Sequence, residues 1–588
     1  MKRHSGFGGI AAGLIAVVLS VGIGGCKQTA ELSDATFTAA PTAPNASAEA
    51  LFAHSREFEK AVIAVADNVH VAVGYGLANS IMIEGDDGLI IVDTLESTEN
   101  AKAVLAEFRK ISHKPIKAII LTHNHADHIF GASVFAEGNT DIPVYAHAST
   151  NTHIDNVINV IRPAIYNRSM RMFGNYLDEH QRPNDGIGAS LAMGDLKKVG
   201  LLRPTETLSD RRTLTIAGVR LELMHAPGET DDQLMVWLPD QKVLLPADNF
   251  YKAFPNLYTI RGTGYRDVLS WVRSLDRMRR LPAEYLVPSH GRPLSGAETI
   301  QTRLTNYRDA IQYVHDQTVR GINRGLTPDQ LARTVHLPSH LAEDPYLQEF
   351  YGKVAFSVRN IFNGYLGWYS GAGEDLMPLS PAARAERWEQ ALTEGKSLVM
   401  LAQQALDNSD HQWALELAAL VLATDPADSV AIAIKAEALM ALGEAEANST
   451  ARNYLMTLAL EARGQVLPQQ PPSKDMPLEV VLSFPIDSVM NAMPVKLKAE
   501  ECLELTLSVG FEFSDLNRHF TVTVRRGVAE VTEGMVGEPA ARVRVSANDW
   551  KQIVSGHRNL LAAYAGRDLQ VGGSIGDLVR FLSLFERG

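Results

Sequence analysis

One hexapeptide constrains this chain more than any other feature: His123-Asn124-His125-Ala126-Asp127-His128, directly after the run Ile116-Lys117-Ala118-Ile119-Ile120-Leu121-Thr122. A short apolar run of that kind reads as a buried strand. A strand that empties into such a loop sends four potential ligand side chains toward one small volume. Imidazole and carboxylate together suit Zn²⁺ or a similar first-row ion. Histidines scattered over a surface by chance would not put four chelators into six positions. One ion can take only part of such a set, so further ligands are expected at other strand ends.

Three downstream residues meet that expectation. Glu229 lies in HAPGETDDQ, a glycine-containing turn between two predicted strands; Asp248 follows the apolar VLLPA; His290 closes AEYLVPSHGRP after another buried strand. Taken singly, Glu229 or Asp248 serves equally well as a turn cap, and His290 as a structural histidine. Jointly they fit one site with the hexapeptide. Asp93, at the end of IIVDT, is expected to support the histidine loop from behind instead of ligating.

The surrounding sequence alternates between strand and helix signals. Residues 69–93 read as three short strands in a meander, with Gly85-Asp86-Asp87-Gly88 as a hairpin turn, and a helix is predicted over 97–110. Further strands are predicted at 144–146, 213–216, 219–225, 233–238, 243–245 and 285–288, with helices at 150–160 and 267–280. Strands first and then alternation with helices predict an α/β fold: two sheets covered by outer helices, an αβ/βα sandwich. Residues 161–203 carry Met170, Met172, Phe173 and Tyr176 among arginines and glycines; they read either as a lid over the substrate or as a helical insertion on the core. Residues 395–464 predict four consecutive helices in stacked hairpins, an all-α unit whose usual role is packing. The proline-broken 466–477 marks a boundary, after which alternating strands and two helices predict a small α+β domain. The expected domains are a signal peptide (1–25), a flexible tether (26–50), a catalytic domain (51–325), a helical domain (326–465), a linker (466–477) and a C-terminal domain (478–588).

Lys2 and Arg3 precede an apolar stretch over 10–23 that ends in Ile23-Gly24-Gly25-Cys26, the pattern of an export signal and too short for a confident membrane span. The ending resembles the bacterial lipoprotein box, in which Cys26 is acylated; the alternative is an ordinary cleavage site of a secreted protein. Either reading sends the protein out of the cytoplasm, and the first anchors it by lipid in the periplasm. Cys26 and Cys502 are the only cysteines, so acylation of Cys26 leaves no intrachain disulfide. The formal charge of -13 disfavours a nucleic-acid partner, because an acidic surface repels a phosphate backbone.

His-x-His-x-Asp-His followed by carboxylate and histidine ligands at strand ends resembles the metallo-β-lactamase superfamily. Most members carry a third histidine in a Pro-Gly-His turn, whereas this chain reads Pro-Gly-Glu at Glu229. That departure, with Asn256-Leu257-Tyr258-Thr259-Ile260-Arg261-Gly262 after Asp248 and GYLGWYSG at 364–371, resembles the alkylsulfatase branch. The resemblance implies two Zn²⁺ per chain: His123, His125 and Glu229 on one, Asp127, His128 and His290 on the other, and Asp248 bridging. It further implies a helical dimerisation domain and hence a homodimer, a sterol-carrier-like C-terminal domain, and an amphiphilic alkyl sulfate ester as substrate. Arg261 is the expected sulfate anchor, since a planar guanidinium offers parallel donors to sulfate oxygens; a surface ion pair is the alternative. Asn79 resembles an asparagine near the family's sulfate pocket, or serves its own turn. Rival functions are another hydrolysis on the same site, of a phosphodiester or lactone, and non-catalytic binding of a periplasmic amphiphile.

Overall fold

A computed structural model describes residues 48–191, 194–467 and 471–586. Cys26, the predicted signal peptide and most of the predicted tether lie outside the described residues. The first sheet has seven strands in sequential order: β1 Ala61–Ala66, β2 Val69–Val73, β3 Ser80–Glu84, β4 Leu89–Val92, β5 Ile116–Ile120, β6 Val144–His147 and β7 Glu206–Leu208. Strands β1 to β4 form an antiparallel meander; β4 to β7 are parallel. The second sheet comprises β8 Arg211–Ile216, β9 Val219–His225, β10 Leu234–Leu238, β11 Val243–Leu245, β12 Tyr285–Leu286 and β13 Leu294–Ser295.

The two-residue period of a strand explains the layering. Ile81, Ile83, Ile90, Val92 and Ile120 point to the shared interior, where they meet Leu221, Leu223, Leu234, Val236 and Val243 of the second sheet. The intervening Met82, Leu89, Ile91 and Ile119 face the other way, against Ala101, Val104 and Phe108 of the helix Thr98–Ile111. That helix starts where Ser97 accepts a bond from the Asn100 amide. On the far side, Trp237 and Leu244 pack under the helices Val268–Met278 and Ala297–Ile322. The result is the expected αβ/βα sandwich. Strands β1 and β7 were not anticipated. β7 is only three residues long in a polar stretch, too short to establish a period.

The apolar core under the second sheet does not stop at residue 325. Leu331, Leu347, Val358 and Ile361 belong to the same buried cluster as Trp271 and Tyr307, so the first part of the predicted helical domain completes the catalytic core. The four predicted helices are Leu398–Asp407, His411–Thr424, Ser429–Ala445 and Ser449–Ala462, begun by Ser397, Asp410, Asp428 and Asn448 as side-chain caps. The segment 161–203 is a helical insertion: Arg162–Met172 leans on Ser449–Ala462, fixed by an Arg171–Glu461 ion pair at 2.7 Å. The C-terminal domain has its own core around Phe511, Phe513, Trp550 and Phe581. Its sheet contains β14 Thr506–Phe513, β15 Arg518–Arg525, β16 Val528–Glu533, β17 Ala541–Val545 and β18 Leu569–Gly573, in the order β16-β15-β14-β17-β18. The last two strands, and the parallel pairing of β14 with β17, were not foreseen.

Candidate metal centre

The hexapeptide leaves β5 as a loop, with Asp127 and His128 in the short helix Ala126–Ile129 and His125 at its N-cap. Glu229 sits between β9 and β10, Asp248 in the 3-10 turn Ala247–Asn249 after β11, and His290 beyond β12. The first sheet thus contributes four candidates, and the second sheet three. His123, His125 and Asp248 offer ligand atoms within 4.8 Å of one another; Asp127, His128 and His290 do the same. Asp248 Oδ2 lies 3.6 Å from His123 Nε2, 3.4 Å from His128 Nε2 and 3.2 Å from His290 Nε2, which puts this carboxylate between the two groups.

Glu229 is placed differently from the resemblance's implication. It does not join the triad of His123 and His125; its Oε1 accepts from the Arg266 guanidinium at 3.0 Å, both side chains 2% exposed, while Oε2 is buried without a hydrogen-bond partner. Arg266 was missed by sequence reasoning. A lone arginine has no spacing pattern to betray it, and the only signal is its nearness to Arg261 in RGTGYRDV. Burial pushes the Glu229 carboxyl up to about 7 against the opposing pull of Arg266.

Behind the ligands stands a layer of oriented hydrogen bonds. The Asp93 carboxylate accepts from the Thr122 backbone N–H (2.9 Å), the Thr122 hydroxyl (2.9 Å), the Ser289 hydroxyl (2.9 Å) and His128 Nδ1 (2.8 Å). Asp93 also holds left-handed backbone, φ 58°, as does Ala247 beside Asp248, φ 53°. Such strain gathers where a side chain must be aimed. With Nδ1–H committed to Asp93, His128 presents a bare Nε2, which is buried and has no hydrogen-bond partner. His290 is aimed the same way, Nδ1 donating to the Leu77 carbonyl at 2.9 Å. The Asn79 amide donates to the Pro288 and Gly291 carbonyls at 3.0 and 2.8 Å, so it braces the His290 loop.

Burial holds His123 and His125 well below the usual imidazole range, with the neighbouring imidazoles adding to the effect. Burial opposes ionisation of Asp127 and Asp248, but the adjoining histidines outweigh it and hold Asp127 at about 2 and Asp248 well below the carboxylate range. Burial also opposes protonation of His128 and His290, but Asp248 and the neighbouring carboxylates outweigh it and raise both. Neutral imidazoles and ionised carboxylates are the forms that ligate cations, so cation binding here displaces protons from these two histidines. Two inward nitrogen and oxygen atoms lacking partners, a mixed imidazole and carboxylate donor set and no thiolate together fit divalent first-row ions.

The centre opens into a cavity of about 130 Å³. His125, Asp127, Glu229, Asp248 and Arg261 form its polar end; Ile154, Ile158, Ile165, Phe173, Leu191 and Met476 form its walls. Arg261 is no surface ion pair: its Nη2 donates to His125 Nε2 at 2.9 Å, at the boundary between the polar end and the apolar walls.

A sandwich of this topology with these ligand positions defines a metallo-β-lactamase-type hydrolase. Residues 73–290 match the metallo-beta-lactamase superfamily, 327–465 the alkyl sulfatase dimerisation domain, and 474–588 the alkyl sulfatase C-terminal domain. A linear primary-alkylsulfatase of Pseudomonas sp. is 37% identical over 528 residues, covering 86% of this chain and 98% of that one. An (R)-specific secondary-alkylsulfatase of Pseudomonas sp. is 28% identical over 532 residues, 87% of this chain and 79% of that one. The solved structure of the stereoselective inverting sec-alkylsulfatase Pisa1 from Pseudomonas sp. superposes with a TM-score of 0.83 at 26% identity, covering 90% of this chain and 84% of that chain. The chain belongs to the alkylsulfatase family.

Proposed function

We propose that this protein hydrolyses alkyl sulfate esters to an alcohol and inorganic sulfate, using two Zn²⁺ ions. One observation carries the reading: two triads of ligand atoms, joined by Asp248, stand at the polar end of an otherwise apolar cavity with a guanidinium beside them. That combination matches an amphiphile with a compact anionic head. His123 and His125 would hold one ion and Asp127, His128 and His290 the other, with Asp248 shared; Glu229, paired with Arg266 in this structure, would complete the first only by turning its free Oε2 toward it. When bound, such a pair of cations acidifies water from a pKa of ~15.7 to about 7 and neutralises anionic oxygen.

The chain's own residues do the rest. Arg261, charged at any working pH, orients the sulfate and stabilises its charge as the ester bond breaks. Asp248 and Asp127 remain ionised and so stay available to hold cations, and water made that acidic would need no separate side-chain base. Ile154, Ile158 and Phe173 seat the alkyl chain and exclude bulk water. Apolar residues of the C-terminal domain extend this surface for long chains; Met476, just before that domain, already reaches the cavity wall.

The protein is read as exported and lipid-anchored through Cys26, which would place it in the periplasm beside amphiphilic substrates. The functional test is turnover of dodecyl sulfate in ¹⁸O-labelled water, next to phosphodiester and lactone substrates. Sulfate release is expected, with label in the alcohol reporting C–O cleavage and label in the sulfate reporting S–O cleavage. Turnover confined to the phosphodiester or lactone refutes the substrate assignment, and no turnover by metal-replete protein favours plain amphiphile binding.

A further inference from the structure

The insertion helix Arg162–Met172 touches the site in two ways. Ile165, Tyr166 and Ser169 line the catalytic cavity. Ile165, Arg168 and Met172, spaced three and four residues apart and so on one face of the helix, meet the loop that carries Arg261. The Arg168 guanidinium donates twice to one backbone carbonyl, that of Ile260, from Nη2 at 2.6 Å and from Nε at 3.2 Å. One turn on, Met172 Sδ accepts from the Thr259 hydroxyl at 3.2 Å. Gly262, with φ 107°, takes backbone that favours glycine and turns the chain directly after Arg261, beside Ile165 and Arg168.

Little else fixes the loop at this point. Its inner end is secured, since fully buried Leu257 has its carbonyl bonded by Asn360 Nδ2 at 3.0 Å. Over 259–265 the one internal backbone bond among the described residues runs from Gly262 N–H to the Thr259 carbonyl, at 3.0 Å, and Thr263, Gly264 and Tyr265 are exposed. Arg168 is exposed too and forms no ion pair among the described residues. A long side chain gives up rotamer freedom to hold one geometry, and what this one fixes is the peptide immediately before Arg261. We infer that Arg168 is a positioning residue for the sulfate anchor: by holding the Ile260 carbonyl it sets where the Arg261 guanidinium stands at the polar end of the cavity, an assignment that rests on Arg261 being that anchor. Because the same helix lines the apolar part of the cavity, the head anchor and the chain-binding wall keep one fixed spacing.

A double-mutant cycle on the metal-replete full chain tests this. The readout is calorimetric affinity for decane-1-sulfonate, a non-hydrolysable sulfate mimic kept below its micelle concentration, with kcat/KM for decyl sulfate as a second readout should Arg261→Met bind too weakly to titrate. Arg168→Met opens no buried gap and keeps the aliphatic stem; it is expected to weaken binding roughly tenfold, the equivalent of one charge-assisted hydrogen bond. Arg168→Lys should recover part of that loss. In an Arg261→Met background Arg168→Met is expected to have no effect, because no guanidinium is left to place. An equal loss in both backgrounds makes Arg168 a part of the wall alone and overturns the proposal, as does wild-type affinity in Arg168→Met while Arg261→Met is weakened. If Arg261→Met itself binds like wild type, Arg261 is not the anchor, and the positioning role falls with that reading.

Discussion

Asp93→Asn isolates what the layer behind the ligands contributes. Asparagine has the size of aspartate and tolerates left-handed backbone, so φ 58° at this position persists and the change is confined to charge and donor pattern. Oδ2 of Asp93 accepts three of its four bonds, from Thr122 Oγ1, Ser289 Oγ and His128 Nδ1. An amide nitrogen there meets three donors; flipped, it meets the Thr122 N–H that Oδ1 now accepts. The hydroxyls can rotate, but the imidazole cannot donate to an N–H. Unflipped, His128 loses its partner or takes the other tautomer, which puts a proton on the Nε2 that faces the other ligands; flipped, it keeps that bond but the Thr122 N–H at the root of the histidine loop meets another donor, and the loop shifts. Losing an outer partner of a metal-binding histidine costs ~10- to 100-fold in metal affinity, about 1.4 to 2.8 kcal/mol. Competition between the protein and a graded series of chelators, read with a colorimetric metal indicator, measures this without reference to turnover. The expected result is one equivalent released at about 10- to 100-fold lower chelator strength than in wild type, with far-UV circular dichroism unchanged. Identical release curves would refute the claim that Asp93 orients His128.

Three further outcomes follow from the geometry. Arg266→Met leaves the buried Glu229 carboxyl without its cation; the group then takes up a proton near neutral pH, so the loss in urea unfolding of metal-free protein should grow as pH rises above 7, toward roughly 3–5 kcal/mol, and be smaller in metal-replete protein, because bound cations take up the same charge. His54, buried between Phe58 and Phe350 and donating to the Gly186 carbonyl, has its pKa lowered by burial from 6.5 to about 4. The unfolded chain binds that proton more readily, so up to about 3 kcal/mol of stability present above pH 6.5 is lost as pH falls toward 4; the difference in melting temperature between wild type and His54→Phe should narrow or reverse over that interval. Trp368 and Met377, 73% and 90% exposed in the segment matching the dimerisation domain, should lie in the subunit interface, so Trp368→Glu is expected to shift the protein from dimer to monomer in sedimentation.

What could be read from the sequence was what repeats or clusters. The hexapeptide, the period-2 strands and the capped helices each carry several residues that agree with one another. Glu229, Asp248 and His290 became legible only because each follows a strand, and strand ends in such a sandwich converge. Arg266 and the bracing role of Asn79 stayed hidden for the opposite reason: each acts as a single residue whose partner is more than thirty positions away or is a backbone carbonyl. The boundary predicted at 325 falls beside the start of the dimerisation-domain match at 327, but a change from mixed to helical composition does not reveal that Leu331 and Val358 share a core with Trp271.

The division of ligands between the sheets has a consequence for how the site is maintained. His123, His125, Asp127 and His128 come from the first sheet, and Glu229, Asp248 and His290 from the second, so neither sheet alone holds a complete set. The supporting hydrogen bonds cross the same divide. Ser289, from the second sheet, donates to Asp93 of the first, and Asn79 of the first holds the carbonyls on either side of His290. Sheet docking and ligand alignment are therefore one event: a cation that binds all these groups binds the docked sandwich better than any separated state, and its binding energy becomes folding energy. The same linkage explains why acidic groups as crowded as Asp127, Asp248 and Glu229 persist beside buried histidines. Their repulsion is borne by the apolar core between the sheets, and what it sets up is a rigid pair of adjoining ligand clusters, with no large rearrangement needed before chemistry.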